Sequence, residues 1–191
     1  MAHLPFDARL AGVWADLREF SMAADAAIES GSRIPLHSFI NISESVPRRL
    51  LSLRYDPLSF HELLRLSMLA YVKTILIRIK GIGPRMTFLA EKLKGAISFQ
   101  LRSSGSAQLP FLLWALFMAE ISIFEGCEEN WLRESLVRTM TSLGLQTWPA
   151  VRGTLGMFLW TDIFHGMEGM QLLEKCSRGT PAEVDLEENS P

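Results

Sequence analysis

Cysteine is nearly absent: Cys127 and Cys176 are the whole supply in 191 residues. They form no C-x-x-C pair and have no histidines at ligand spacing, so they cannot build a structural zinc site. Both are read as unpaired thiols, as expected of a protein that stays inside the cell. A basic stretch followed by an apolar one is missing from residues 1–10, so nothing points to secretion. Uninterrupted apolar runs are also missing. Residues 58–79 are broken by Arg65, Lys73 and Arg78, and residues 109–124 are short and contain Glu120. Against the roughly 20 residues of a spanning helix, both read as buried helices, with no membrane contact. Two-residue alternation bounded by hairpin turns is absent, which removes support for strands. The nucleophile elbow, the phosphate loop and the H-E-x-x-H metal helix are absent too, and with them the commonest routes to catalysis.

What the chain has is helical periodicity. Apolar residues make up 48% and charged residues 21%, enough to bury a core in one domain. Leu10, Val13, Trp14, Leu17, Phe20, Ala24, Ala27 and Ile28 recur at steps of three and four, which predicts a helix over 8–30 with Asp7 as N-cap and Gly31 as stop. Pro47 suits the first turn of a shorter helix over 47–54. Ser59 and Glu62 form an S-x-x-E capping box that opens a helix over 59–80, ended by the turn Gly81-Ile82-Gly83-Pro84. Residues 85–101 follow, with Met86, Leu89, Leu93, Ala96 and Ile97 on one side. After a Ser- and Gly-rich linker at 102–108, Pro110 opens a helix to about 124. Asn130 caps another helix, with Leu132, Leu136, Met140 and Leu143 on one face and Gly144 closing it. Thr147 and Pro149 open a last one, whose buried stripe is Val151, Leu155, Phe158, Leu159 and Ile163. The fold class is all-α, a bundle of about seven or eight helices that could be stacked pairs. It divides into a helical domain over 1–176 and a polar, acidic, disordered tail over 177–191.

Several constellations invite chemistry, and each has a plainer reading. His61-Glu62 begins like a zinc helix, but Arg65 stands where the second histidine belongs, so the pair reads as a polar helix start. Gly81 and Gly83 follow a helix and precede Pro84, which makes a turn and no dinucleotide loop. Asp162, His165 and Glu168 are spaced by threes and could share a face. With Gly166 and Gly169 weakening the helix there, they read as its solvated end. His3 and His37 lack neighbours that suggest a role. The segment 48–102 carries a net +8, between −3 before it and −7 after it. Arg48, Arg49, Arg54, Lys92, Lys94 and Arg102 could face phosphates, but no nucleic-acid module accompanies them, so pairing with acidic residues inside the fold is expected. Trp14, Trp114, Trp131, Trp148 and Trp160, with Met68, Met86, Met118, Met140 and Met157, are at helical spacing and read first as core, with a pocket for an apolar effector as the alternative. No catalytic, cofactor-binding or metal residue is assigned.

The order of these pieces resembles the C-terminal regulatory region of fungal zinc-cluster transcription factors, the fungal-specific transcription factor domain. The resemblance runs over residues 4–174. It rests on Val13-Trp14-Ala15-Asp16-Leu17-Arg18-Glu19-Phe20, then Arg48-Arg49-Leu50-Leu51-Ser52-Leu53, then Phe60-His61-Glu62-Leu63-Leu64-Arg65-Leu66. Later come Leu112-Leu113-Trp114-Ala115-Leu116-Phe117 and the closing Trp148 with Leu159-Trp160-Thr161-Asp162. It implies a nuclear, transcription-regulatory domain that works through dimer contacts, coregulators or a small effector, and the lack of a catalytic constellation leads to the expectation that it is not an enzyme. Such factors reach DNA through a six-cysteine zinc cluster. This chain has none, so the resemblance implies contact with DNA only through partners, or a piece of a longer regulator. Without the resemblance, the expected location is the cytoplasm.

Overall fold

Asp7 starts the first helix as its side chain suggests: Oδ1 accepts the backbone N–H groups of Arg9 at 3.0 Å and Leu10 at 2.8 Å. In the computed structural model, which describes residues 7–76, 87–124 and 130–178, this helix, α1, spans Ala8–Glu29. It stops at Gly31, whose φ of +63° is the left-handed value a glycine adopts without strain. Seven of its eight predicted apolar positions are buried. The eighth, Ile28, is exposed.

The next rod departs from expectation. It starts at Leu36, not Pro47, as α2 (Leu36–Ile40), passes through a π turn at Asn41–Ser45 and continues as α3 (Val46–Ser52). Pro47 therefore sits inside a continuous helical run. A proline there lacks an N–H and crowds the carbonyl four residues back. The wider π turn just ahead of it, where Val46 N–H reaches Asn41 C=O, absorbs both defects. The rod ends at Ser52, two residues short of expectation, where Leu53 turns extended with ψ 146°.

α4 (Phe60–Leu76) begins with half of the predicted capping box: Glu62 N–H donates to Ser59 Oγ at 3.2 Å, while Ser59 N–H donates to Asp56 C=O at 2.9 Å and the Glu62 carboxylate is taken by Arg65. α5 (Thr87–Ser103) and α6 (Leu109–Ala119) are joined by a loop with one 3-10 turn, Ser106–Gln108. A second π turn, Glu120–Phe124, prolongs α6. α7 (Asn130–Ser142) closes at Gly144, with φ +67°. α8 (Trp148–Leu155) and α9 (Asp162–Arg178) complete the chain. The described residues contain no strand, and with α2 and α3 counted as one rod they form eight helices, an all-α bundle as expected.

α6 is the axis of the bundle. Every residue from Phe111 to Ala119 is buried, and α4, α5, α7 and α8 pack around it. With its flanking turns it makes a 19-residue helical stretch, Ser106–Phe124, of mean hydropathy 1.6. That is long and apolar enough to cross a membrane, which the sequence reading had denied on length. Here other helices cover it. α1 lies across α3 and α4 on one side of this axis, and α9 packs on α4, α7 and the second π turn on another.

Two further expectations are corrected near the end of the chain. The predicted last helix is two, because residues 156–161 leave the helix after α8. Phe158, Leu159 and Trp160 are buried from that connection, while Ile163 points outward, 44% exposed. Gly166 and Gly169 do not stop α9, which runs through both to Arg178. The tail expected from residue 177 does not begin there, because α9 runs through Ser177 to Arg178. The turn at 81–84, Met86, Cys127, His3 and residues 179–191 lie outside the described residues.

Candidate functional site

Of the His61-Glu62 pair that begins like a zinc helix, Glu62 is part of a structural clamp with Arg65. Glu62 and Arg65 form a two-pronged ion pair, Nε to Oε2 at 2.7 Å and Nη2 to Oε1 at 2.6 Å, with both side chains about nine-tenths buried. The remaining guanidinium nitrogen donates to Leu50 C=O at 3.1 Å, tying α4 to the end of α3. Planar donors facing a carboxylate are the strong geometry for such a bond. His61 stacks on Tyr55, ring centres 5.5 Å apart. Tyr55 Oη in turn donates to Asp7 Oδ2 at 2.6 Å, closing a link from this loop to the cap of α1. Desolvation pushes the Asp7 carboxyl up, but donors from Tyr55, the Leu10 N–H and Arg9 outweigh it and hold it at about 2. Burial, then the bond to Asp7, pushes Tyr55 up to about 12.

Asp162, His165 and Glu168 do not converge. Asp162 is exposed and paired with Arg152 of α8, and its other oxygen accepts Trp160 Nε1–H at 2.9 Å. The Arg152 bond, against some desolvation, holds its carboxyl below the usual value. Asp25 of α1 is pushed up, by burial first and then by the charges of Asp162 and Glu29. No three His, Cys, Asp or Glu residues among those described are grouped to hold a metal ion.

His165 does not lie on a solvated helix end, as expected of it; it is wholly buried. It belongs to a polar chain that sequence reasoning missed. Its Nδ1 accepts the Thr161 backbone N–H at 3.2 Å and its Nε2 lies 2.7 Å from Thr74 Oγ1. Thr74 spends its own hydroxyl proton on Tyr71 C=O at 2.6 Å. It must therefore accept from the ring, which fixes a neutral imidazole carrying its proton on Nε2. The Tyr71 hydroxyl, also fully buried, sits 2.5 Å from Ser21 Oγ and 3.3 Å from Thr161 Oγ1. Since Ser21 donates to Leu17 C=O, Tyr71 donates to Ser21. The one signal available in the sequence was the placing of Ser21 and Thr74 at positions where their helices bury apolar residues. The chain is sealed from water, so it orders α1, α4 and α9 and has no room for a substrate.

The tryptophan and methionine stripes fill the interior. Trp114 meets Trp14, Phe111 and Phe158 at centroid distances of 5.8, 5.5 and 6.0 Å, and its Nε1–H donates to Leu159 C=O at 2.7 Å. Met68, Met118 and Met140 are buried, Met157 is exposed, and Trp131 and Trp148 are half-buried. A shallow cleft of 120 Å³ lies elsewhere, between the loop before α4 and α5. It is lined by Pro57, Leu58, Glu62, Lys92, Gly95 and Ala96, with neither Trp nor Met.

On the surface, Arg49 of α3 pairs with Asp16 of α1, so part of the basic segment is spent inside the fold. Arg54, Lys94 and Arg102 are exposed, and Lys92 lies over the Phe88 ring and Lys94 over that of Trp131. Two apolar groups face outward: Leu36, Phe39 and Ile40 on α2, and Ile163, Met167 and Met170 on α9. The second group recurs at steps of four and three, opposite the buried face of His165, Gly169, Leu172 and Cys176. Cys176 is a free thiol, pushed up to about 11 by burial and then by Glu120. The described residues form an all-α bundle in whose interior Ser21 bonds to Tyr71 and Thr74 to His165. No family model, curated protein or solved structure matches the chain.

Proposed function

We propose that the chain is a transcription-regulatory domain like the regulatory region of fungal zinc-cluster factors. It acts in the nucleus through protein contacts, reaches DNA only through partners, and catalyses nothing. The observation that supports this reading is the outward stripe of α9, where Ile163, Met167 and Met170 stand 44, 67 and 43% exposed at helical spacing. Exposed apolar residues on one face of a helix are what a partner helix or groove reads, and methionine adapts to varied surfaces. Size-exclusion chromatography and pull-down from nuclear extract test it, with Met167→Glu/Met170→Glu as control. The expected result is a dimer or a discrete nuclear partner that the control loses. A strict monomer without a nuclear partner contradicts it.

The second reading, a helical protein with a Trp- and Met-rich pocket for a small apolar effector, has less behind it, since Trp114, Met68, Met118 and Met140 are packed in the core and the cleft beside Gly95 contains neither residue type. A ligand bound only to the folded state raises its melting temperature. A thermal-shift screen in which no apolar compound does so removes this reading.

A further inference from the structure

We propose that His165 is a proton-operated clasp: its neutral ring holds α9 on α4, and its protonation releases α9. The proposal stands on the hydrogen-bond geometry and does not depend on the regulatory reading above.

α9 docks through both apolar and polar contacts. Among its residues of described burial, His165, Gly169, Leu172 and Cys176 are buried, Phe164 and Leu173 are half-buried against the core, and Phe164 stacks on Phe20 with ring centres 6.3 Å apart. The imidazole is the part of this docking that a proton can change. Both ring nitrogens are engaged in the neutral form, Nε2–H to Thr74 and the Nδ1 lone pair to the Thr161 N–H. A proton can enter only at Nδ1, and there it would set two N–H donors face to face. The charge would also lie in the first turns of a helix, beside the positive end of its dipole, with no water to solvate it.

Among the described residues, Tyr71 on α4 lies against the ring, centroids 5.3 Å apart, and the charge of Asp162 at the start of α9 faces it, Asp162 itself interacting with Arg152 of α8 and Asp25 of α1. Glu120 and Arg133 stand near the other end of α9, beside Cys176. Asp162 would favour a cation, but its carboxylate already pairs with Arg152. The ring can therefore take a proton only where α9 has swung away and water replaces Thr161 and Thr74. Because the protonated ring fits only the open form, each pH unit below the onset shifts the balance toward release by up to tenfold.

Hydrogen exchange of the whole chain, followed from about pH 7.5 to 5.5, where imidazole is the ordinary side chain that titrates, tests the clasp. Protection factors corrected for intrinsic exchange should fall by up to tenfold per pH unit in α9 while α4 and α6 hold. His165→Asn keeps an acceptor for the Thr161 N–H and removes the titration, so its α9 profile should be flat. Thr74→Val should lower α9 protection at every pH and keep the slope. If His165→Asn fails to fold, ¹⁵N spectra of the wild-type imidazole serve instead, with the Nε2–H tautomer expected at neutral pH and protonation coinciding with loss of α9 protection. A flat wild-type profile, the same slope in His165→Asn, an equal loss in α4 and α6, or an imidazolium in a docked α9 would each overturn the proposal.

Discussion

In most helices, replacing glycine by alanine stabilises, because glycine costs about 1 kcal/mol of backbone entropy relative to alanine. Gly169 should show the opposite sign. A Cβ built on it would meet Trp148 Cη2 at 2.7 Å and Trp160 Cη2 at 2.8 Å, with Trp160 Cζ2 at 3.1 Å. Those are the far edges of two large rings. Trp160 is held by its bond to Asp162 and by contact with Phe117, and Trp148 tilts against it at 6.1 Å. The indoles therefore have little freedom to yield, and overpacking of this kind costs about 1–3 kcal/mol. Set against a propensity gain of about 1 kcal/mol, Gly169→Ala should be destabilising by up to about 2 kcal/mol. Gly12 in α1 is the internal control, since a Cβ there meets nothing within 4 Å. Gly12→Ala should gain up to about 1 kcal/mol. Urea unfolding followed by circular dichroism reads both variants. Equal stabilisation by the two would refute the close approach of α9 to Trp148 and Trp160.

Other substitutions probe the remaining contacts. Asp7→Ala should cost about 1 kcal/mol at neutral pH, the usual worth of an N-cap. Because the Asp7 carboxyl is held at about 2, below its ordinary 3.8, its contribution is complete above that ordinary value and is lost as pH falls through the folded one. The stability gap between wild type and Asp7→Ala, from urea titrations, should accordingly narrow between those two pH values. Glu62→Ala strands a buried guanidinium and should cost about 3–5 kcal/mol, while Glu62→Ala/Arg65→Met should recover much of that loss in the same assay. With burial pushing Cys176 up to about 11, its thiol in a Cys127→Ser background should resist an aromatic disulfide reagent until the protein is unfolded.

The legible parts of the fold were the local ones. The Asp7 cap, the Gly31 and Gly144 stops and the Ser59 start each depend on residues within a turn of one another, so the pattern alone placed them. The rod through Pro47 was not legible, because the π turn at Asn41–Ser45 that accommodates the proline has no signature in the sequence. The break between α8 and α9 was hidden by Phe158 and Leu159, which continue the apolar stripe although they are buried from a turn. The His165 chain was the least legible. Its partner Thr74 lies 91 residues away and Ser21 meets Tyr71 across 50, so only the packing of α9 on α4 and of α1 on α4 brings them together. His61 and Glu62 were read as a polar helix start, but the pairing of Glu62 with Arg65 was not foreseen, nor was the Leu50 carbonyl, which comes from another helix.

The claim that this chain works through its surface is tested most directly by joining it to an unrelated DNA-binding domain and measuring output from a reporter gene carrying that domain's site. The account predicts that the wild-type chain changes the output, and that Met167→Glu/Met170→Glu, folded by circular dichroism, returns it to the level of the DNA-binding domain alone. A wild-type fusion indistinguishable from that domain alone, or a double variant as active as wild type, would contradict it.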